Sequence, residues 1–357
     1  MKIEEINIKN FRNYDELKVV FEKGINYLFG VNGVGKTNLI EAIYYVSNLS
    51  SFRTSEDKSL IKDSKGGFSI DCIVDGVRYN LKVNRDKKLL SVDGIVYPKY
   101  RDYIGKVNVI EFCPEEVYLL KDFPRDRRRF IDKEISKIDN KYLNDLLIYN
   151  KLLKQRNELL KSEDLYSNQL LDVIDDKMSE IQIYIIDRRK QFLIEIEDII
   201  NGFETSLNDM YKIEIIYDCC FDKINKESIL DCYLKNRVKD KEKMNTGIGV
   251  HKDDFRVCIN GNNACDFGSQ GEQRFIVLLI KLALVCLVNG RTNDWPILVL
   301  DDVFSELDEN RKKEVFEILK TFEQVFITGC SKEDIKNIKD CVSYEIREKK
   351  VFRIEEE

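Results

Sequence analysis

Residues 30–37 read Gly-Val-Asn-Gly-Val-Gly-Lys-Thr, and this stretch decides the fold of the chain. Apolar residues typical of a strand, Ile25 to Phe29, precede it, and apolar residues at helical spacing follow it. A strand, a glycine-rich loop and a helix form the context that a phosphate-binding loop requires. Glycines let backbone N–H groups turn inward around an anion, and the positive end of the following helix faces the same point. The stretch therefore predicts a site for nucleotide phosphates.

Two side chains of this loop have predicted roles in binding ATP and Mg²⁺. Lys36 would reach the β- and γ-phosphates, and Thr37 would place its hydroxyl on Mg²⁺. The remaining predicted contacts to the nucleotide come from Gly30, Val31, Asn32, Gly33, Val34, Gly35 and Asn38.

Composition limits the classes of protein that remain. The net charge of the 357 residues is −6, so any surface for nucleic acid must be a local basic patch. Ten cysteines occur without a Cys-x-x-Cys pair, and the chain has one histidine, which argues against a zinc site. Free thiols in this number favour a reducing cytoplasm.

Nothing in the sequence indicates a membrane protein. Residues 1–5 do not have the character of a signal peptide. The longest apolar stretch, residues 275–288, contains Lys281 and is shorter than the roughly 20 residues that cross a bilayer. We expect it to be a buried helix of a cytoplasmic protein.

A second motif completes the predicted nucleotide site. Residues 297–302 read Ile-Leu-Val-Leu-Asp-Asp, which is typical of a buried parallel strand that ends in acidic residues. We predict that Asp301 holds Mg²⁺ and that Asp302 is catalytic, orienting or deprotonating the attacking water beside Lys36. Two adjacent acids could also be ordinary solvated residues, but the phosphate loop in the same chain favours the metal site.

The spacing of the two motifs predicts an inserted module. About 260 residues separate Lys36 from Asp301. Residues 127–203 contain no proline and place apolar residues at helical spacing, with a polar break at 161–168. This pattern predicts a hairpin of two helices of about 30 residues each. We predict an α/β ATPase head in two halves, 1–112 and 246–357, around a mainly helical domain at 113–245. The first half should include a small antiparallel section at 68–112, with hairpin turns at Asp75-Gly76 and Asp93-Gly94. A plain helical domain without a special role is the alternative for the insert.

A third motif suggests that two copies share a nucleotide. Ser269, Gln270 and Gly271 directly precede the long apolar helix, so they form a second anion-binding turn. The chain thus carries two anion-binding elements, the phosphate loop and this turn. Both can serve one kind of nucleotide site if the turn caps the nucleotide that another copy of the chain binds.

Together these motifs resemble the ATP-binding-cassette ATPases of the SMC type, and most closely the RecF family of bacterial recombination and repair proteins. The matching strings cover nearly the whole chain: residues 9–14 (KNFRNY), 35–42 (GKTNLIEA), 127–132 (RRRFID), 155–157 (QRN), 251–254 (HKDD), 269–274 (SQGEQR) and 301–308 (DDVFSELD). The departures are few. Val250 replaces the usual proline, Gly329 stands where the family tends to repeat threonine, and Thr328 stands where transporter ATPases carry a switch histidine.

The resemblance implies a specific function. Proteins of this family bind ATP with Mg²⁺, form homodimers around it and bind DNA with single-stranded, gapped or junction structure. They act with RecR and RecO so that RecA can assemble, as part of the SOS response, and their weak, DNA-stimulated ATPase activity serves release.

Three assignments stay open. Arg53, Arg125, Arg127 and Arg128 are candidate DNA contacts, but members of the arginine run could instead pair with Asp126 or Asp132. Arg12 either touches the nucleotide or braces the first hairpin. His251 is expected to hold a loop rather than to perform chemistry.

Two other functions compete with the family assignment. A chromosome-organising SMC relative without preference for DNA junctions would have a similar head, but the insert is too short for its arm. The ATPase subunit of a membrane transporter would carry Leu-Ser-Gly-Gly in place of Ser-Gln-Gly.

Overall fold

The computed structural model describes residues 1–113, 118–121, 123–162, 166–203, 212–335 and 340–354. Its strands are β1 (Ile3–Phe11), β2 (Tyr14–Val20), β3 (Gly24–Phe29), β4 (Gly67–Val74), β5 (Val77–Asn84), β6 (Lys88–Val92), β7 (Ile95–Val96), β8 (Val109–Phe112), β9 (Ile213–Asp218), β10 (Asp254–Ile259), β11 (Asn262–Asn263), β12 (Ile297–Leu300), β13 (Gln324–Gly329), β14 (Cys341–Arg347) and β15 (Lys350–Ile354). Its longer helices are α1 (Lys36–Asn48), α2 (Pro124–Ile138), α3 (Asn140–Leu160), α4 (Ser167–Asn201), α5 (Lys226–Glu242), α6 (Gln270–Thr292) and α7 (Glu309–Leu319).

The chain divides into two compact units. The first lies within Met1–Glu116, Phe203–Asp209 and Arg274–Glu357, and the second within Val117–Gly202 and Met210–Gln273. The second unit includes strands β9 and β10, which pair along their whole length in one sheet. The predicted boundaries of the functional domains stay a prediction.

A six-stranded mixed sheet forms the centre of the first unit, in the order β15-β14-β3-β13-β12-β8. Neighbouring strands from β14 to β8 are parallel, and β15 is antiparallel to β14. Every residue of β12 and of β13 is buried, as expected for parallel strands that are covered on both faces. The carboxyl ends of β3, β12 and β13 therefore meet at one edge of the sheet.

The second sheet of the first unit is antiparallel, in the order β2-β1-β4-β5-β6-β7. The predicted hairpin turns at Asp75-Gly76 and Asp93-Gly94 are confirmed, with both residues of each turn at positive φ. The prediction that the antiparallel section extends to residue 112 was wrong. Strand β8 lies in the mixed sheet instead, because its four buried residues pair in parallel with β12.

The second unit contains helices α2 to α5 and a three-stranded sheet in the order β11-β10-β9. The predicted helical hairpin is confirmed as α3 and α4, which pack against each other, although their lengths of 21 and 35 residues differ from the predicted 30 each. The arginine run belongs to a separate helix, α2. This helix ends because Asp139 leaves the helical conformation and accepts a hydrogen bond from the backbone of Tyr142, which caps α3.

Buried ion pairs join the helices of the second unit. Arg156 on α3 is fully buried and donates to Asp175 on α4 at 2.6 Å and to Asp240 on α5 at 2.7 Å. The same guanidinium donates to the hydroxyl of Thr246 at 2.9 Å. The two acids are also buried, so the arginine is the charge that neutralises them inside the unit, with help from Arg237 at Asp175.

Helix α6 is the one helix among the described residues that is long and apolar enough to cross a membrane. Most of its apolar stretch is buried inside the protein, including Lys281, which is 1% exposed. Such burial is typical of a helix in a protein core, as predicted for residues 275–288.

We predict that Arg156→Met destabilises the protein by about 3–5 kcal/mol, because it leaves two buried carboxylates without their shared cation. Urea denaturation followed by circular dichroism measures the change. The matched control is Lys161→Ala, which removes an exposed ion pair with Glu158 and should cost at most about 1 kcal/mol. Equal stability of the two variants would contradict the structural role of the buried network.

Candidate nucleotide-binding site

The phosphate loop connects the carboxyl end of β3 to the first turn of α1. Gly35 precedes that turn with a φ of 119°, a conformation that L side chains rarely adopt. A Cβ atom at this position would lie 2.6 Å from the hydroxyl oxygen of Tyr14. Both the backbone conformation and the available space therefore require glycine here.

Lys36 is held by its own loop. Its ammonium group donates to the carbonyl oxygens of Gly30 at 2.6 Å and Val31 at 3.2 Å, and the residue is 9% exposed. Val31, Asn32 and Gly33 at the tip of the loop are exposed. The cation therefore lies under a loop whose outer backbone is open to solvent.

The turn between β1 and β2 braces the loop from the other side. The Tyr14 hydroxyl donates to the carbonyl of Gly35 at 3.0 Å, and the Asn13 amide donates to the carbonyl of Val34 at 3.3 Å. The amide of Asn38 donates to the side-chain oxygen of Asn13 at 2.8 Å. Residues 9–14 match a string of the resembling family, but local periodicity in the sequence carries no information on this contact.

Arg12 braces the same hairpin. Its guanidinium makes a two-pronged ion pair with Glu41 of α1, with N–O distances of 2.8 and 2.7 Å. Glu41 is fully buried and also accepts a hydrogen bond from Ser51. Of the two roles left open for Arg12, this geometry supports the bracing role, and contact with a nucleotide stays a prediction.

The two predicted metal ligands lie side by side. The hydroxyl of Thr37, at the start of α1, is 3.2 Å from Oδ1 of Asp301, which follows the last residue of β12. The Thr328 hydroxyl at the end of β13 donates to the same oxygen at 2.6 Å. Residues that are far apart in sequence thus converge where the parallel strands end.

The chemistry of this cluster fits Mg²⁺. Burial raises the pKa of the Asp301 carboxyl above its ordinary value, and hydrogen bonds from Thr328 and Thr37 offset part of this rise. One carboxylate and one hydroxyl are few protein ligands, which is typical of Mg²⁺ that keeps water and phosphate oxygens around it. Within the described ranges, no group of three or more His, Cys, Asp or Glu side chains could hold a metal ion.

Asp302 leaves the sheet in a left-handed conformation, with a φ of 48°. Its backbone N–H donates to the hydroxyl of Thr328 at 2.9 Å. A non-glycine residue in this region of φ costs free energy, so the surrounding contacts must hold it there. The side chain of the predicted catalytic acid is therefore aimed by its backbone.

The predicted signature turn lies in the second unit. Ser269 donates from its backbone N–H at 2.8 Å and from its hydroxyl at 2.7 Å to Oε2 of Glu272. The backbone N–H of Glu272 donates back to the Ser269 hydroxyl at 3.3 Å, which forms a capping box. Ser269 and Gln270 are exposed, and Gly271 is half-buried.

In the polar turn after Asp302, the side chains of Ser305 and Glu306 lie outside the described part of the chain.

The arginine run is divided between internal pairs and solvent. Arg127 forms a two-pronged ion pair with Asp254 at 2.7 and 2.6 Å, and Arg128 donates to the carbonyl of Asp253 at 2.6 Å. Asp132, one of the acids we had considered as their partner, pairs with Arg189 of α4 instead. Arg125 is exposed, and so is Arg53 in the first unit.

His251 holds a loop. The carbonyl of Thr246 accepts a hydrogen bond from Nε2 at 3.1 Å, so Nδ1 accepts from the hydroxyl of Tyr149 at 2.6 Å. Burial lowers the pKa of His251 from 6.5 to about 4, with a smaller opposing effect from the Thr246 carbonyl. The neutral imidazole therefore fills a structural position.

All ten cysteines are free thiols.

Comparisons with known proteins identify the architecture. The family model for the RecF/RecN/SMC N terminal domain matches residues 2–102. The DNA replication and repair protein RecF of Streptococcus thermophilus (strain ATCC BAA-491 / LMD-9) is 37% identical over 347 residues, which cover 95% of this chain and 94% of that protein. RecF of Clostridium botulinum (strain Langeland / NCTC 10281 / Type F) is 37% identical over 344 residues, covering 94% of each chain.

Solved structures agree with these relatives. The recombination mediator protein RecF-ATP in the RecFOR pathway superposes with a TM-score of 0.88 and 31% identity, covering 99% of this chain and 97% of that chain. An Smc head bound to the C-winged helix domain of ScpA superposes with a TM-score of 0.57 and 14% identity, covering 100% of this chain and 98% of that chain, which shows similarity of fold alone. The predicted fold class, an ATP-binding-cassette head of the SMC type with an inserted helical domain, is confirmed.

We predict that stability falls on acidification because of His251. Its pKa in the folded protein, about 4, lies below the ordinary value of 6.5, so the unfolded chain takes up a proton first as the pH falls through this window. The cost at pH 5 relative to pH 7.5 is about 2 kcal/mol.

Two measurements check this prediction. Because the chain has one histidine, selective ¹³C-histidine labelling gives one ring signal by NMR, and it should not shift above pH 5. In urea denaturation, the free energy of unfolding of His251→Gln should fall by about 2 kcal/mol less than that of the wild type between pH 7.5 and 5. Carboxylates contribute to both proteins, so the difference between them isolates the contribution of His251. A midpoint near 6.5 for the ring signal would contradict the prediction.

Proposed function

The chain belongs to the RecF family of DNA replication and repair proteins, and we propose that it is an ATP-dependent DNA-binding protein that acts in recombinational repair and replication restart in the cytoplasm. It dimerises on ATP, binds single-stranded or gapped DNA and helps RecR and RecO load RecA. The observation that carries this proposal is the convergence of Thr37 and Asp301 beside the phosphate loop. That arrangement is the one required to bind a nucleoside triphosphate with its metal.

The residues of the first unit bind and orient the nucleotide. The loop from Gly30 to Asn38 surrounds the phosphates, and Lys36 contacts the β- and γ-phosphates. Thr37 and Asp301 hold the metal, and bound Mg²⁺ neutralises charge on the phosphate oxygens. Asp302 orients the attacking water. Hydrolysis is weak and stimulated by DNA, since its role is release rather than turnover.

The signature turn of a second copy closes the site. Ser269, with Gln270 and Gly271 at the start of α6, offers backbone N–H groups and a hydroxyl to the γ-phosphate held by its partner. The exposure of Ser269 and Gln270 supports this role, because a contact with another copy needs an accessible turn. Removal of the γ-phosphate deletes contacts that only the dimer makes, so hydrolysis shifts the equilibrium toward separate monomers.

DNA contacts come from exposed cations. Arg53 and Arg125 face solvent and suit phosphate contacts that are independent of sequence. Arg127 and Arg128 were candidates in the same run, but their guanidinium groups already serve Asp254 and the backbone of Asp253. We therefore propose that Arg127 and Arg128 stabilise the structure of the DNA-binding face and do not contact DNA themselves.

We predict that Ser269→Arg binds ATP as tightly as the wild type but stays monomeric, because the larger cation blocks the turn without touching the phosphate loop. Sedimentation velocity with and without ATP measures the dimer, and fluorescent ATP measures binding. Lys36→Ala is the matched variant, and it should lose both nucleotide binding and dimerisation. A Ser269→Arg protein that dimerises normally in ATP would contradict the proposed shared nucleotide site.

We predict that gapped duplex binds at least several-fold more tightly than intact duplex at the same salt concentration. Fluorescence anisotropy at several salt concentrations measures both affinities. Arg125→Ala should weaken the binding of both gapped and intact duplex. It should also reduce the magnitude of the slope of log K, the association constant, against log salt concentration by about 0.9. Lys161→Ala serves as the control. Equal affinity for the two DNAs would instead favour an SMC relative without junction preference.

A further inference from the structure

A single buried hydroxyl controls both acids of the candidate catalytic pair. Thr328, at the end of β13, is 1% exposed. Its Oγ1 lies 2.6 Å from Oδ1 of Asp301 and 2.9 Å from the backbone nitrogen of Asp302. An ionised carboxylate can only accept and a backbone N–H can only donate, so the directions of both hydrogen bonds are fixed. The hydroxyl donates its one proton to Asp301 and accepts from Asp302.

The first of these bonds acts on the metal ligand. Asp301 directly follows β12, and its Oδ1 receives the hydroxyls of both Thr328 and Thr37. The Thr328 hydroxyl is neutral, so this hydrogen bond adds no positive charge that would repel a cation bound to the same carboxylate. It also restricts rotation of the carboxylate, so that Oδ1 stays beside the hydroxyl of Thr37.

The second bond acts on the turn that carries the catalytic acid. Asp302 lies two residues after Leu300, the last residue of β12, and has a φ of 48°. Because the Thr328 hydroxyl receives this N–H, the left-handed turn is anchored to the neighbouring strand. Loss of the anchor would let the turn relax and move the Asp302 carboxylate.

We propose that Thr328 is a positioning residue for ATP hydrolysis, which sets Asp301 for the metal and Asp302 for water through one hydroxyl. The inference rests on the proposed ATPase function and extends it to a residue outside the phosphate loop, the Asp-Asp pair and the signature turn. Because Thr328 acts through Asp301 and the backbone of Asp302, its removal should spare nucleotide affinity and impair metal affinity and turnover.

The test compares three variants. Thr328→Val keeps the shape and removes the hydroxyl, and Thr328→Ser keeps the hydroxyl. The control is Ser343→Ala on β14, which removes a buried hydroxyl of the same sheet that makes no hydrogen bond within the described residues. Fluorescent ATP in EDTA gives nucleotide affinity without metal. Electron paramagnetic resonance of free Mn²⁺, used in place of Mg²⁺ with a slowly hydrolysed ATP analogue, gives metal affinity.

We expect Thr328→Val to bind ATP in EDTA within about two-fold of the wild type, and to lose roughly 10- to 100-fold in Mn²⁺ affinity and in kcat, the range for a hydrogen bond to a charged group. Thr328→Ser should recover most of both losses, and Ser343→Ala should change neither. A Thr328→Val protein with wild-type Mn²⁺ affinity and kcat would overturn the proposal, and so would an equal loss of ATP affinity in EDTA.

Two further outcomes are decisive. If Thr328→Val does not fold, Thr328→Ala is measured in the same way; failure of both to fold assigns the hydroxyl to the fold and rejects the proposal. If the wild type neither binds nor hydrolyses ATP, the proposed function itself fails, which is distinguishable from a failure confined to the variants.

Discussion

One hydrogen-bonded cluster ties together the parts of the first unit on which the site depends. Asp301 accepts from the hydroxyls of Thr37 and Thr328, so the carboxyl end of β12 is bound to the helix that follows β3 and to the end of β13. Parallel pairing brings these strand ends to one edge, but pairing alone leaves the direction of each side chain open. The hydrogen bonds of the cluster fix those directions. Through Thr37, they also connect the phosphate loop to the end of β12.

The sequence predicted the features that depend on local chemistry. Glycines before Lys36 predict a turn, and apolar residues before Asp301 predict a buried strand, because backbone conformation and burial act over a few residues. Strand β8 was misplaced because its four residues fit either sheet by pattern, and only pairing with β12 decides between them. The brace from Asn13 and Tyr14 was missed for the same reason, since it joins residues through space.

Basic residues in the second unit illustrate a different limit. A run such as residues 125–129 suggests a surface for phosphates, but several arginines of this unit neutralise acids. Examples are Arg127 at Asp254, Arg156 at Asp175 and Asp240, and Arg189 at Asp132. Their partners lie on other elements of the unit. An arginine is freed from such a pair only at a high cost in free energy when the acid is buried. Exposure, rather than local charge density, therefore separates candidate contacts such as Arg125 from structural ones.

Hydroxyls are better suited than cations to hold Asp301. An arginine or lysine hydrogen-bonded to this carboxylate would keep it ionised, but it would also cancel the negative charge that attracts a divalent cation. The two threonines donate hydrogen bonds and leave that charge in place. The backbone of Asp302 is anchored by the same Thr328 hydroxyl, and in the proposed reaction the Asp302 carboxylate acts on water. In the proposed site, the Asp301 carboxylate thus keeps its charge for the metal, while the Lys36 cation serves the phosphates.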